Sequence, residues 1–137
     1  GRAKIHIFGI TTPPTLYLLK QLGADSFDSL GWNKAANYGN IYLPFMPAKN
    51  VSHRGTQQIG LTQAMLEEFK AQTHHDCSFC RDFKKLQTDY MYRRLHNLAV
   101  LMDMVDSINQ DNVPYEFVRS HSPEYLGPIL DLYTPKG

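Results

Sequence analysis

The sequence predicts an α/β fold built on parallel strands, with a metal-ligand cluster behind them. Two stretches carry that reading. Residues 4 to 28 run strand, helix, strand with short connections, the pattern of a βαβ unit, and such a unit requires parallel strands. Residues His74-His75-Asp76-Cys77-Ser78-Phe79-Cys80 gather imidazoles and thiols at metal-ligand spacing, with His96 beyond them.

Lys4-Ile-His-Ile-Phe-Gly-Ile10 is β-branched and weakly alternating, so it reads as a short buried strand. Thr11-Thr12-Pro13-Pro14 offers a hydroxyl cap followed by proline, which the first helical turn tolerates. Leu16, Leu19 and Leu22, with Tyr17 and Leu18, give a helix from Thr15 to Leu22, and Gly23 stands where a helix ends in glycine. A second strand follows at Ser26-Phe27-Asp28. Ile41–Leu43 and Val51–His53 read as small strands about a turn from Pro44 to Pro47, and Leu61 to Phe69 as a helix. Arg81 onward is rich in helix formers, with Leu98, Leu101, Val105 and Ile108 at helical spacing up to the stop at Pro114. Tyr115–Val118 reads as a strand, and Ser122-Pro123-Glu124 as the capped start of a last helix.

The 137 residues suffice for one domain with a core, not for a complete large barrel. A net charge of +1 excludes general attraction to polyanions, so nucleic-acid contact requires a local patch. No apolar run reaches the roughly 18 residues that span a bilayer. The opening Gly1–Phe8 runs straight into a strand, which reads as a cut into a larger polypeptide. Both cysteines belong to a single Cys-x-x-Cys unit, so no long-range disulfide framework is available and a reduced, cytoplasmic setting fits.

That unit admits zinc, a redox dithiol or simple packing. The neighbouring histidines favour zinc, which takes imidazole and thiolate together. Two cysteines and two histidines would saturate a tetrahedral ion, making the site structural. In an unbroken helix, His96 would lie roughly 24 Å from Cys80, too far to share an ion. For His96 to be a ligand the chain must turn back, and Thr88-Asp89 can cap a new helix that carries it. Otherwise His74 is the substitute ligand, and on the residues alone His96 reads first as an ordinary, satisfied helix histidine. Asp25 and Asp28 end a strand, where an aspartate is ordinarily a cap or turn former. In parallel α/β folds, however, the C-terminal strand ends carry the chemistry.

Taken in order, these features resemble the tRNA-guanine transglycosylase superfamily, (β/α)8 barrels with a zinc-binding insertion. Its strand ending in Met-Gly-Val, Pro-led helix and Gly-x-Asp-x-Phe-Asp are matched by Phe8-Gly9-Ile10, Pro13-Pro14 and Gly23–Asp28. Its Cys-x-Cys-x-x-Cys is matched by His75-Asp76-Cys77-Ser78-Phe79-Cys80, and its His-Asn-Leu by His96-Asn97-Leu98. The resemblance covers about residues 4 to 108 and implies the C-terminal portion of such a barrel. Residues 1–45 would carry the nucleophile, 46–96 the zinc insertion, and 97–137 the final barrel helix and tail.

By the same resemblance Asp28 is the nucleophile, forming a covalent glycosyl ester as guanine leaves and a 7-deazaguanine base replaces it. Phe8 and Gly9 line the base pocket, and His75, Cys77, Cys80 and His96 bind structural Zn2+. Three departures stand out. His75 replaces the first zinc cysteine, and the Cys80-to-His96 spacing is shorter. The Pro-Thr-Arg stretch that grips the anticodon loop is replaced by Ser29–Gly39, closer to the branch that modifies DNA. DNA is therefore favoured over tRNA as the polymer. Arg81, Lys84, Lys85, Arg93 and Arg94 are candidates to hold phosphates, and Trp32 or Tyr38, with Lys34 alongside, to meet an unpaired base. The family's second catalytic aspartate and most of its base-reading residues belong to the first half of the barrel, which would come from the rest of a longer chain or a partner subunit. A non-catalytic zinc-stabilised nucleic-acid-binding module and a thiol-redox protein remain the alternatives.

Overall fold

The computed structural model describes residues 3–9, 13–52, 60–110, 112–113, 115–122 and 124–133. The chain folds as a mostly helical α/β protein, with seven α-helices and two small sheets among the described residues. The expected βαβ unit is present: β1 (His6–Ile7), α1 (Pro13–Gln21) and β2 (Ser26–Phe27), with the strands parallel and His6 opposite Ser26. Gly23 (φ +103°) closes α1, donating to the Lys20 carbonyl while Ala24 donates to that of Leu19. A left-handed residue there satisfies carbonyls that the helix end leaves open. The threonines expected to cap α1 lie outside the described residues.

A helix the sequence did not announce, α2 (Gly31–Asn37), follows β2, and after it β3 (Asn40–Leu43) and β4 (Met46–Asn50) form an antiparallel hairpin. The second strand is Met46–Asn50, not the expected Val51–His53: it starts directly after the turn, and Val51 and Ser52 follow its end. The reversal is made by Pro44 and Phe45 alone, because Phe45 adopts φ +60°. That conformation is costly for a bulky side chain, and full burial of the Phe45 ring offsets the cost. Pro47 is accommodated within β4, which pairs with β3 only. His53 lies outside the described residues.

Next come α3 (Gln63–Thr73), a 3₁₀ turn (Ser78–Arg81), α4 (Phe83–Thr88) and α5 (Tyr90–Asn109). Thr62 caps α3 by accepting from the Met65 N–H, which starts that helix two residues later than expected. Asp82 caps α4 in the same way. The predicted break at Thr88-Asp89 is real: the Asp89 carboxylate accepts from the Met91 and Tyr92 N–H groups and opens α5.

Two core clusters hold these elements. One joins Leu16, Tyr17, Tyr42, Val100, Met104 and Leu130; the other joins Ile41, Leu43, Met46, Val51, Leu66 and Leu86. The hairpin feeds both, and α5 runs through residue 96 without interruption.

Two further expectations are corrected. Tyr115–Val118 is helical, the start of α6 (Tyr115–His121), not a strand. Its Phe117 ring stacks on His121 four residues later, a meeting that helical spacing provides. The last helix, α7, spans Gly127–Tyr133, and Ser122 does not cap it; its hydroxyl instead donates back to the Val118 carbonyl at the end of α6. Asp131 accepts from Tyr115 and Arg119, fastening α7 to α6.

Candidate functional site

The metal-ligand candidates converge. The ligand atoms of His75, Cys77, Cys80 and His96 all lie within 4.8 Å of one another, a group that could hold a metal ion. Local structure accounts for each position. His74 takes a left-handed conformation (φ +58°) as the C-cap of α3, which turns the chain and sends His75 inward. His74 itself stays exposed and outside the group. The 3₁₀ turn folds Cys80 back over Cys77, and the Tyr92 hydroxyl fastens that turn by donating to the Ser78 carbonyl. The break before α5 then returns His96, fully buried, to the two sulfurs.

Distances within the group fit coordination. His96 Nδ1 stands 3.6 Å from Cys77 Sγ and 3.5 Å from Cys80 Sγ, and the sulfurs are 3.2 Å apart. That separation is far longer than a disulfide of roughly 2.05 Å. Each imidazole is fixed by its other nitrogen. His96 Nε2 donates to the Tyr42 carbonyl at 3.0 Å, leaving Nδ1 with a lone pair for the centre. His75 Nδ1 meets the Asp103 carboxylate at 2.5 Å, and its Nε2 is buried with no hydrogen-bond partner. A buried polar atom with nothing to bind is costly, and here it belongs to the cluster.

Charge in the cluster is correspondingly displaced. A hydrogen bond from Cys80, helped by His75 and His96, holds the Cys77 thiol far below its ordinary pKa. Cys80 moves the opposite way, raised by the adjoining Cys77 sulfur and by burial. Burial pulls the His75 pKa down, but Cys77 and Asp103 outweigh it and leave the value raised. The two adjoining sulfurs are thus pushed in opposite directions.

Asp28 lies about the second centre, at the C-terminal end of β2. Its Oδ2 is 3.1 Å from His6 Nε2, and its Oδ1 accepts from the Gly9 N–H at 3.3 Å. The His6 hydrogen bond, then that of Gly9, lowers the Asp28 pKa, so the group is a carboxylate at neutrality. Asp25 has a different role: its Oδ2 accepts from the Ile5 N–H at 2.7 Å and ties β1 to β2. Asp28 stands on the rim of a cavity of about 430 Å³ lined by Phe27, Trp32, Tyr42, Leu98, Leu101 and Val105, among others. Tyr42 links the two centres. Its carbonyl is held by His96 and its N–H by Asn97 Oδ1 at 2.8 Å, while the Asn97 amide donates to the Trp32 and Asn40 carbonyls.

Leu98, Leu101, Val105 and Ile108 are helical, as their spacing indicates; all four line this cavity, and Leu101 and Ile108 also pack against the first core cluster. The packed face of α5 is Arg93, His96, Asn97, Val100 and Met104. It is polar because its side chains satisfy backbone groups of neighbouring elements. Arg93, expected as a phosphate contact, is therefore corrected: it is buried and donates to the Ala36, Leu86 and Gln87 carbonyls.

The remaining candidates are scattered. Phe8 is 77% exposed and packs edge-on against His6, outside the cavity lining. Gly9 is exposed, gives its N–H to the carboxylate, and is likewise outside the cavity lining. Lys34 and Lys84 are exposed, Lys85 lies over the Tyr92 ring, and Arg81 pairs with Asp76 at 3.1 Å. Tyr38 is exposed. Trp32 lines the cavity and stacks with Arg94, whose guanidinium also lies 5.3 Å from the centre of the Tyr90 ring. His6, Asn97 as a clamp, and Asp103 were missed by the sequence reading, since no spacing announces a side chain that serves another one. No helix among the described residues is long and apolar enough to cross a membrane.

Compared with family models, curated proteins and solved structures, the chain matches none.

Proposed function

We propose that this chain carries the nucleophile and the structural zinc site of a base-exchange transglycosylase, one that replaces guanine in a nucleic acid, DNA by preference, with a 7-deazaguanine base. The observation that carries the reading is the Asp28 carboxylate. It follows a parallel strand, is held by hydrogen bonds on both oxygens, and belongs to a residue that is itself part of the lining of an apolar cavity with an aromatic wall. In this reading Asp28 attacks the anomeric carbon of a nucleotide swung out of its stack, and the ester is then resolved by the incoming base. Two displacements at one carbon retain its configuration. The pair β1–β2 would be two of the eight barrel strands. By the same resemblance, the other catalytic aspartate and the base-reading half come from a further segment or a partner subunit, and the complete protein is this chain together with that part.

Zinc fits the donor set. A tetrahedral ion with Zn–S of about 2.3 Å and Zn–N of about 2.0 Å places sulfur and nitrogen roughly 3.5 Å apart and the two sulfurs roughly 3.8 Å apart. The distances from His96 Nδ1 to the two sulfurs already match, and the sulfur pair would open by about half an ångström. His75 Nε2 would gain the partner it lacks. With four protein ligands, such an ion braces the fold and takes no part in the exchange.

The test is a covalent trap on the complete protein with guanine-containing DNA and, separately, tRNA. An adduct at Asp28, abolished by Asp28→Ala while nucleic-acid binding persists, is expected, with the DNA adduct dominant. The 57% exposure of the Asp28 side chain favours a second reading, a zinc-stabilised nucleic-acid-binding module in which this residue only closes a turn. Binding with no adduct would select that module.

A further inference from the structure

We infer that His6 is the positioning residue for the Asp28 carboxylate, and that its hydrogen bond sets how fast a glycosyl ester at Asp28 breaks down. The inference rests on the base-exchange reading and adds a residue to it.

The placement follows from strand geometry. His6 and Ser26 are partners in the parallel β1–β2 register, and Ser26 and Asp28 project to the same side because strand side chains alternate. Three side chains from two strands therefore share one face. Ser26 Oγ lies 2.7 Å from His6 Nδ1, and His6 Nε2 lies 3.1 Å from Asp28 Oδ2. A hydroxyl donating to Nδ1 leaves the ring proton on Nε2, aimed at the carboxylate. The Phe8 ring, 4.6 Å away and edge-on, limits rotation of the imidazole. The Gly9 N–H takes the other oxygen, and its φ of +71° is one that glycine adopts without strain.

None of this is needed to keep the carboxylate solvated. The His6 and Asp28 side chains are 39% and 57% exposed, so water would serve both. What the hydrogen bonds add is a fixed direction for the carboxylate, which a nucleophile requires and a surface charge does not.

The chemistry assigns the effect to one half of the reaction. In the first half a carboxylate oxygen bonds the anomeric carbon as the carbon–nitrogen bond breaks. The electron pair departs with guanine, which takes a proton from water. In the second half the ring nitrogen of the incoming base bonds that carbon and releases its proton to water, while Asp28 recovers the electron pair as a free carboxylate. A donor bound to a carboxylate is stronger than one bound to an ester oxygen. The His6 bond thus stabilises the expelled carboxylate more than the ester, and its loss slows the second half more than the first.

The experiment compares His6→Phe, which keeps a ring against Phe8 but no nitrogen, with His6→Gln, whose amide can place a donor near the Nε2 position. The complete protein is loaded with guanine-containing DNA, the adduct is isolated, and a 7-deazaguanine base is added as chase. The His6→Phe adduct should persist about tenfold longer than that of the unmodified protein. Its formation should change less than about threefold, and His6→Gln should restore the lifetime. Equal lifetimes in all three proteins would overturn the role of His6 while leaving Asp28 as nucleophile. Loss of adduct formation in His6→Phe would overturn it too, by placing the residue in the first half. An unmodified protein that forms no adduct would instead remove the base-exchange reading, and this inference with it.

Discussion

The metal group and the Asp28 carboxylate are positioned by opposite means. Around the metal group nearly everything is buried: His75, Cys80, His96 and Asn97 are almost inaccessible, and each imidazole is oriented by a partner outside the group. Around Asp28 nearly everything is exposed, and two strands of two residues each supply the frame. One site is held by packing, the other by a few directed hydrogen bonds. The difference separates their tasks. Under the proposed reading, a centre that braces a fold gains from exclusion of water, whereas a carboxylate that meets a polymer has to stay reachable.

Removing the metal should give the largest effect, and only on one side of that contrast. Under the proposed zinc reading, Cys80→Ala or a strong chelator leaves buried imidazoles and a thiol without the cation they would share. A loss of several kcal/mol is expected, since structural zinc contributes folding energy directly. Zinc stoichiometry and thermal melting check this, with one equivalent of zinc expected before treatment. Amide exchange should rise through residues 74–96, whereas the α1 backbone should respond less. Uniform loosening of both regions would erase the distinction.

Asn97→Ala should come next, because it cuts the link between the two regions. The side chain is fully buried, accepts from the Tyr42 N–H, and donates to the Trp32 and Asn40 carbonyls. Its loss removes the acceptor for the buried Tyr42 N–H and one donor from each of two carbonyls, so about 2–3 kcal/mol of stability should disappear in denaturant unfolding. Tyr42 and Trp32 both line the cavity, so the Trp32 fluorescence should shift as well. A stability loss without any change at Trp32 would mean that the clamp does not reach the cavity.

The same contrast explains what the sequence disclosed. The metal group was legible because ligand type and spacing are local, and the break at Asp89 because capping chemistry is local too. The βαβ unit was legible from its proline, its leucines and Gly23. Helix α2 was not, since Gly31–Asn37 is short and lacks an apolar period. Tyr115–Val118 was misread because aromatic and β-branched residues in so short a run suit either state, and packing decides. The covered face of α5 was not legible for a related reason. Apolar spacing marks a helix face without saying which face is covered, and on α5 the covered one carries Arg93, His96 and Asn97. His6 and Asp103 act only through a partner 22 or 28 residues away in sequence, a relation no local pattern contains.

Titration of Asp28 should give the smallest effect and the sharpest check on the exposed site. Its pKa is depressed in the folded state, first by the His6 hydrogen bond and then by the Gly9 N–H. A depressed carboxyl pKa favours the folded form above the unfolded-state pKa, and that contribution disappears as pH falls through the folded-state value. The unmodified protein should therefore be slightly more stable than Asp28→Ala at neutrality, and the two should converge under acid conditions. Water competes for every partner of this group, so the gap should be small beside that for Asn97→Ala. Denaturant midpoints for both proteins across the acid limb measure it. A gap that widens on acidification would mean that the carboxyl is stabilised in its protonated form, and a group held that way could not serve as the nucleophile.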